Sequence, residues 1–386
     1  MSEGCKPILI AGADYSAAIK QPNPTWLALF EVLAASGAEA KASSVPSRIK
    51  KGTVQEKRNN FLHLRLTSLE NVGSDRLFNA LTEARPLITG LDFPFGYPAS
   101  FLDWIDRRRT GEIRNAGEIR NTGEIRNTEE IRNTGEIRNT GEMRNAAETI
   151  DSRERKPGCS AGHDWQLTRK LASMAFSELE AAVIEFARTT KPEPLRLTDR
   201  LVSPKGTSPL HRINPGLLKM TWQGAGLLLS LKSAGFRIAP FDDEISHGPE
   251  TAPEVLEIYP SALLKWLSLP NRRYKGAGAT AMETRKEIIT TLSRSSGTVL
   301  PLPKLHTVNS CRSRQLKLDI KPSLRQQCLA DDNALDGVIA AIGAAISLIA
   351  PGAVSPASLE ASPELSHQCH LVQREGWIYT PCLLKP

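Results

Sequence analysis

A chain of 386 residues with 40% hydrophobic content can bury a sizeable core, and its length suits two or three domains or one large α/β domain with insertions. The net charge of +7 and isoelectric point near 9.1 are compatible with a polyanionic partner such as nucleic acid, although many basic proteins bind none. Six scattered Cys, with no C-x-x-C, argue against a disulfide-stapled secreted scaffold and are expected as reduced thiols in the cytoplasm.

The start, MSEGCKPILIAGADYS, lacks the charged, apolar and cleavable regions of a signal peptide. Within it PILIAGADYS (7–16) reads as a buried strand ending in a turn. TWLALFEVLA (25–34) is strand or helix, and its pattern leaves both open. FLHLRLTSL (61–69) alternates as a strand does, and SDRLFNALTEA (74–84) has the cap and spacing of a helix. PLITGLDFPFGYP (86–98) is a second buried strand running into a Pro-Gly turn, and FLDWIDRRR (101–109) is a short helix. Residues 147–165 read as polar linker, 165–188 as a helix, and 214–235 as a helix with Pro near its start and Gly after its end. FRIAPF (236–241) and EVLEIYP (254–260) are strands; PSALLKWLSLP and METRKEIITTLSR are helices. LADDNALDGVIAAIGAAISLIAPG (329–352) is one long helix, too short in its apolar part for a membrane span, and GWIYTP (376–381) closes as a strand. The order is that of an α/β protein with mixed strand pairing.

Between the helix at 101–109 and the linker, one six-residue phrase, GEIRNT, is said six times over 111–146. As a helix its Ile113, Ile119 and Ile125 point in three directions, so no apolar stripe forms. As a stacked β-solenoid it offers one apolar residue in six, too little to offset the entropy of ordering. A solvated insert is expected. The chain then divides into 1–110 and 166–386 as two halves of one domain, with 111–165 as insert and linker.

Acids sit where apolar strands end. Asp14 closes ILIAGAD, Asp92 closes LITGLD, and Glu257 lies inside VLEIYP. Asp332 and Asp336 are about one turn apart on a helix and share a face. An acid in an apolar strand is costly unless paired or bound to a cation. Carboxylates gathered in one cleft repel, and a hard divalent cation such as Mg²⁺ or Mn²⁺ relieves this through oxygen ligands. Two such ions could activate a water and stabilise a leaving phosphate oxygen. Each acid also has a plainer reading: Asp14 and Asp92 ordering their own turns, Glu257 paired with an Arg or Lys near Arg272–Lys275, Asp332 as an N-cap. Asp242, Asp243 and Glu244 read as a solvated loop. The pairs Cys159–His163 and Cys369–His370 each lack a second close pair, so zinc is not expected.

These residues resemble the DUF429 family, proteins predicted to be RNase H-like nucleases. The resemblance rests on AGADYS (11–16), LDFPFGYP (91–98), VLEIYP (255–260) followed by Tyr274-Lys275, DDNALDG (331–337) and EGWIYTP (375–381), in that order. It implies an RNase H-like fold, with a five-stranded mixed central sheet flanked by helices and a metal-dependent carboxylate site. Carried over, Asp14, Asp92, Glu257 and Asp336 are the catalytic and metal-binding acids, with Asp332 as a further metal ligand. Two positions depart from the family pattern. Tyr15 replaces a small residue after the first Asp, where it could crowd the cleft, and Gly337 replaces Ala after the last, where it would loosen the helix by roughly 1 kcal/mol.

The leading expectation is a Mg²⁺- or Mn²⁺-dependent nuclease. Arg107, Arg108 and Arg109, Lys50 and Lys51, and Arg272, Arg273 and Lys275 are candidate phosphate contacts, each equally readable as a solvated charge run. A catalytically decayed nucleic-acid-binding or scaffold protein is the first alternative. A phosphotransferase of the actin and sugar-kinase kind is the second, although Tyr15-Ser16-Ala17-Ala18 offers no Gly-rich hairpin to wrap phosphate.

Overall fold

The computed structural model describes residues 7–15, 25–33, 61–111, 162–212, 214–242, 252–293, 300–301, 315–350, 354, 356, 359 and 364–380. The GEIRNT array from 112 onward, Lys50 and Lys51, Asp243 and Glu244 lie outside them.

Eight strands form one mixed sheet among the described residues, three more than the resemblance implies. They are β1 (Leu9–Asp14), β2 (Trp26–Leu33), β3 (Phe61–Asn71), β4 (Ile88–Asp92), β5 (Arg237–Ile238), β6 (Glu254–Glu257), β7 (Leu300–Pro301) and β8 (Gln315–Ile320), in the spatial order β5-β6-β4-β1-β2-β3-β8-β7. Of the stretch 25–34, Trp26–Leu33 is strand, running antiparallel between β1 and β3. β4 lies parallel to β1, and β6 parallel to β4. The helices are α1 (Ser74–Ala84), α2 (Ala99–Arg109), α3 (Gly162–Ser173), α4 (Phe176–Thr189), α5 (Leu197–Leu201), α6 (Pro215–Ser233), α7 (Pro260–Trp266), α8 (Ala279–Ser293), α9 (Pro322–Ala330), α10 (Asp332–Ile349) and α11 (Cys369–Glu375).

The two faces of the sheet have separate cores, as the two-residue period of a strand demands. Ile10, Phe30, Leu64, Leu66, Ile88 and Leu256 pack under α10, with α7, α8 and α9 beside it. Ala11, Ala13, Tyr15, Leu91, Phe93 and Val255 pack under α1 and α6. A third cluster is helical, built by Phe101, Trp104, Leu171, Leu179 and Phe186 of α2, α3 and α4.

Helix α10 lies almost directly on the sheet. A side-chain carbon at Gly12 would overlap the Ala341 amide nitrogen, and one at Gly90 the Ala340 carbonyl oxygen. The helix's small residues therefore serve close backbone approach. Gly337 fits the same logic, since a methyl there would meet the Trp26 carbonyl oxygen at 3.3 Å. Among the described residues α10 alone is long and apolar enough to cross a membrane, and 78% of that window is buried in the fold.

Several expected elements change. The stretch 329–352 is not one helix: Asp331 takes extended backbone and its Oδ1 accepts from the amides of Asn333 and Ala334, separating α9 from α10. The N-cap is thus Asp331 rather than Asp332. The helix at 165–188 breaks at Met174–Ala175, where the Trp222 indole N–H donates to the Met174 carbonyl at 3.1 Å. β5 is only two residues long; on its outer edge the Asp242 carboxylate accepts the Ile238 amide at 2.8 Å and also pairs with Lys232. Asp242 is therefore mostly buried rather than solvated. The closing strand shrinks to a bridge between Ile378 and Glu257, with the Ile378 amide donating on its other edge to Thr198 Oγ1. β8 and α9 match no expected element, although Leu316, Leu318 and Ile320 alternate and Pro322 opens the helix.

Candidate metal centre

Asp14 and Asp92 are register partners at the C-terminal ends of the neighbouring parallel strands β1 and β4. Strand parity puts both on the face that α10 covers, alongside Ile10, Gly12, Ile88 and Gly90. Asp336, in the first turns of α10, is completely buried against the same strand ends. One carboxylate oxygen from each of the three lies within 4.8 Å of the other two. The close approach at Gly12 makes this geometry, because it brings the helix backbone, and with it Asp336, down onto the end of β1.

Three carboxylates in so small a volume oppose one another's ionisation. Burial holds the Asp14 carboxyl well above its ordinary range, and the neighbouring charges of Asp92 and Asp336 raise it further. Asp92 is pushed up to about 7, first by burial, with Lys275 acting against that rise. Burial also raises Asp336, and Lys275 and Tyr274 counter it. The Lys275 Nζ sits 2.8 Å from Asp336 Oδ2, and the Tyr274 hydroxyl donates to Asp336 Oδ1 at 2.9 Å. Burial lowers the Lys275 pKa, but the three carboxylates outweigh it and hold the ammonium charged. The Lys275 side chain is still 59% exposed, so the stem lies in solvent and only the tip reaches the cluster. All donors here are hard oxygens, which suits Mg²⁺, Mn²⁺ or Ca²⁺ rather than a soft metal.

Glu257 does not join this group. It pairs across the sheet with Leu91, one residue short of Asp92, and a one-residue offset turns a side chain to the opposite face. There its two oxygens are bridged by the fully buried Arg196, at 2.6 and 2.8 Å, and Oε2 also accepts the Phe95 amide at 2.9 Å. The expected basic partner is real, but it is Arg196 rather than the 272–275 segment. Arg196 also holds Asp199, at 2.9 Å. Glu375 completes the arrangement, accepting from the amides of Ala99 and Leu197. This buried set fixes the turn after Asp92 to the C-terminal segment. Sequence reasoning missed Arg196 and Glu375, whose partners lie 61 and 276 residues away.

Asp332 opens α10 but stands outside the three-acid group. Tyr15 leaves the carboxylates uncrowded, because it points to the other face and packs on Phe93 with ring centroids 5.1 Å apart. Arg107, Arg108 and Arg109 end α2, where Arg108 pairs with Glu185 at 3.1 Å and Arg109 with Asp106 at 3.7 Å. Arg272, Arg273 and Lys275 line a cavity that includes Asp92. Comparison of the chain with models of protein families, with curated proteins and with solved structures gives no match in any of the three.

Proposed function

We propose that the chain is a divalent-metal-dependent hydrolase of phosphodiester bonds, an RNase H-like nuclease of the DUF429 kind, with Mg²⁺ or Mn²⁺ held by Asp14, Asp92 and Asp336. The observation that carries this reading is the convergence of those three carboxylates from two adjacent parallel strands and one helix. Lys275 offers them a single positive charge. A divalent cation there would supply a Lewis acid for a phosphoryl oxygen and lower the pKa of a water. The chain's own residues orient the ligands: the sheet fixes Asp14 and Asp92, and the Tyr274 hydroxyl fixes Asp336. On this reading Glu257 is a tie between Arg196 and the Phe95 turn and not a ligand. A mixed sheet flanked by helices is compatible with the RNase H-like fold that the sequence resemblance implies, and the net charge of +7 suits a polyanionic substrate. A cytoplasmic location goes with it.

One observation favours a second reading. Lys275 already neutralises Asp336, and burial with the neighbouring charges of Asp92 and Asp336 holds the Asp14 carboxyl well above its ordinary range, which favours its neutral form without any ion. That reading is a nucleic-acid-binding protein with a decayed site. Cleavage assays on single- and double-stranded DNA and RNA with Mg²⁺ or Mn²⁺ separate the two. The nuclease reading expects turnover that falls at least about a hundredfold in Asp92→Asn. Binding without turnover in every combination would remove it and leave the second.

A further inference from the structure

A cavity of about 220 Å³ opens beside Asp92, bounded by Tyr259, Ser261 and the loop Asn271–Lys275. Three of the four residues from Arg272 to Lys275 are cationic. Lys275 is committed to Asp336. Arg272 and Arg273 are exposed and have no hydrogen bond or ion pair to any described residue.

The loop that carries them is fixed from behind. Arg285, 1% exposed, donates through Nη1 to the carbonyls of Tyr274 and Gly276, at 2.7 and 2.8 Å, and through Nε to the Leu329 carbonyl at 2.8 Å. Ser261 Oγ donates to the Asn271 carbonyl at 3.1 Å, and the Tyr274 hydroxyl ties the same loop to Asp336. Arg273 is held at φ 62°, a left-handed backbone that few residues other than glycine adopt. A buried arginine thus spends its donors on shaping a loop whose two outward arginines meet no acid among the described residues.

Two uncommitted guanidinium groups on a fixed loop are a receptor for an anion, and their planar forks match the oxygens of phosphate. The volume, about seven waters' share of liquid, suits one phosphate with a little of what it is attached to, and not a duplex. We propose that this cavity binds a single phosphate group through Arg272 and Arg273, and that this is the phosphate next to the linkage presented to the three carboxylates. The second half rests on the nuclease reading. The anion site itself does not.

The test is calorimetric titration of the full chain, in metal-free buffer, with inorganic phosphate, a 5′-phosphorylated thymidine dinucleotide and the same dinucleotide without that phosphate. Wild type and Arg272→Ala/Arg273→Ala are compared, with circular dichroism confirming that the variant is folded. The expected result is saturable phosphate binding, weakened tenfold or more in the variant. Binding of the phosphorylated probes alone assigns the site to a strand end, and binding of all three assigns it to an internal linkage. No phosphate binding by wild type, or equal binding by the variant, overturns the proposal. A protein that binds phosphate through these arginines yet takes up no divalent ion keeps this site and loses the nuclease reading. One that takes up metal and cleaves, but is indifferent to the double substitution for phosphate, does the reverse.

Discussion

Asp92 and Glu257 end neighbouring parallel strands, yet one faces α10 and the other faces Arg196. A single step of register separates them, Leu91 and not Asp92 being the partner of Glu257. Their fates follow from this parity: Asp92 meets other carboxylates, and Glu257 meets a guanidinium. Replacing Glu257 by Gln keeps its shape but leaves the buried Arg196 short of a charge. Removing one member of a buried pair typically costs about 3 kcal/mol or more. We therefore expect Glu257→Gln to lower stability in urea unfolding by about 3 kcal/mol while divalent-metal affinity stays within about threefold of wild type. A tenfold loss of affinity at unchanged stability would make Glu257 a ligand after all.

At the level of elements, the centre depends on how closely α10 lies on β1. Alanine in place of glycine inside a strand ordinarily helps by roughly 0.5–1 kcal/mol. At Gly12 the methyl meets the backbone of Ala341, which cannot rotate away. Gly12→Ala should instead destabilise by about 3 kcal/mol and weaken metal binding with it, since lifting the helix draws Asp336 from Asp14. Stability equal to wild type in thermal or urea unfolding would contradict that packing. The same contact shows what the sequence makes legible. β1, β3, β4, α1 and α2 are readable from apolar runs, alternation and helical spacing. Asp14, Asp92 and Asp336 are readable as acids in places where burial is costly. Illegible are the features set by distant partners: the hydrogen bond from Trp222 at the Met174 break and the capture of Glu257 by Arg196. Register is equally hidden, because strands buried on both faces lack the alternation that would reveal it. Gly337 reads in sequence as a weakness of the helix and in the fold as part of its seat on the sheet.

For the whole molecule, the three carboxylates tie stability to pH. In the metal-free fold Asp14, Asp92 and Asp336 hold protons more tightly than their ordinary value of 3.8, Asp92 up to about 7. A folded state that binds more protons than the unfolded chain loses stability as pH rises between those values. This contribution is fully present below pH 3.8 and is lost as pH passes through about 7. Thermal midpoints measured from pH 5 to 8 without divalent ions should fall on account of these groups, and Asp92→Asn should flatten the slope. Saturating Mg²⁺ should reverse it, because a cation that binds only the folded, ionised site adds stability by mass action. An identical slope in wild type and variant would show that the acids are not coupled as described. The central claim, a divalent-metal site at Asp14, Asp92 and Asp336, is tested most directly by calorimetric titration of Mn²⁺ into wild type and Asp14→Asn. The account predicts saturable binding to wild type and a loss of about tenfold to a hundredfold in the variant, and it is contradicted by no binding to wild type or by equal affinity in both.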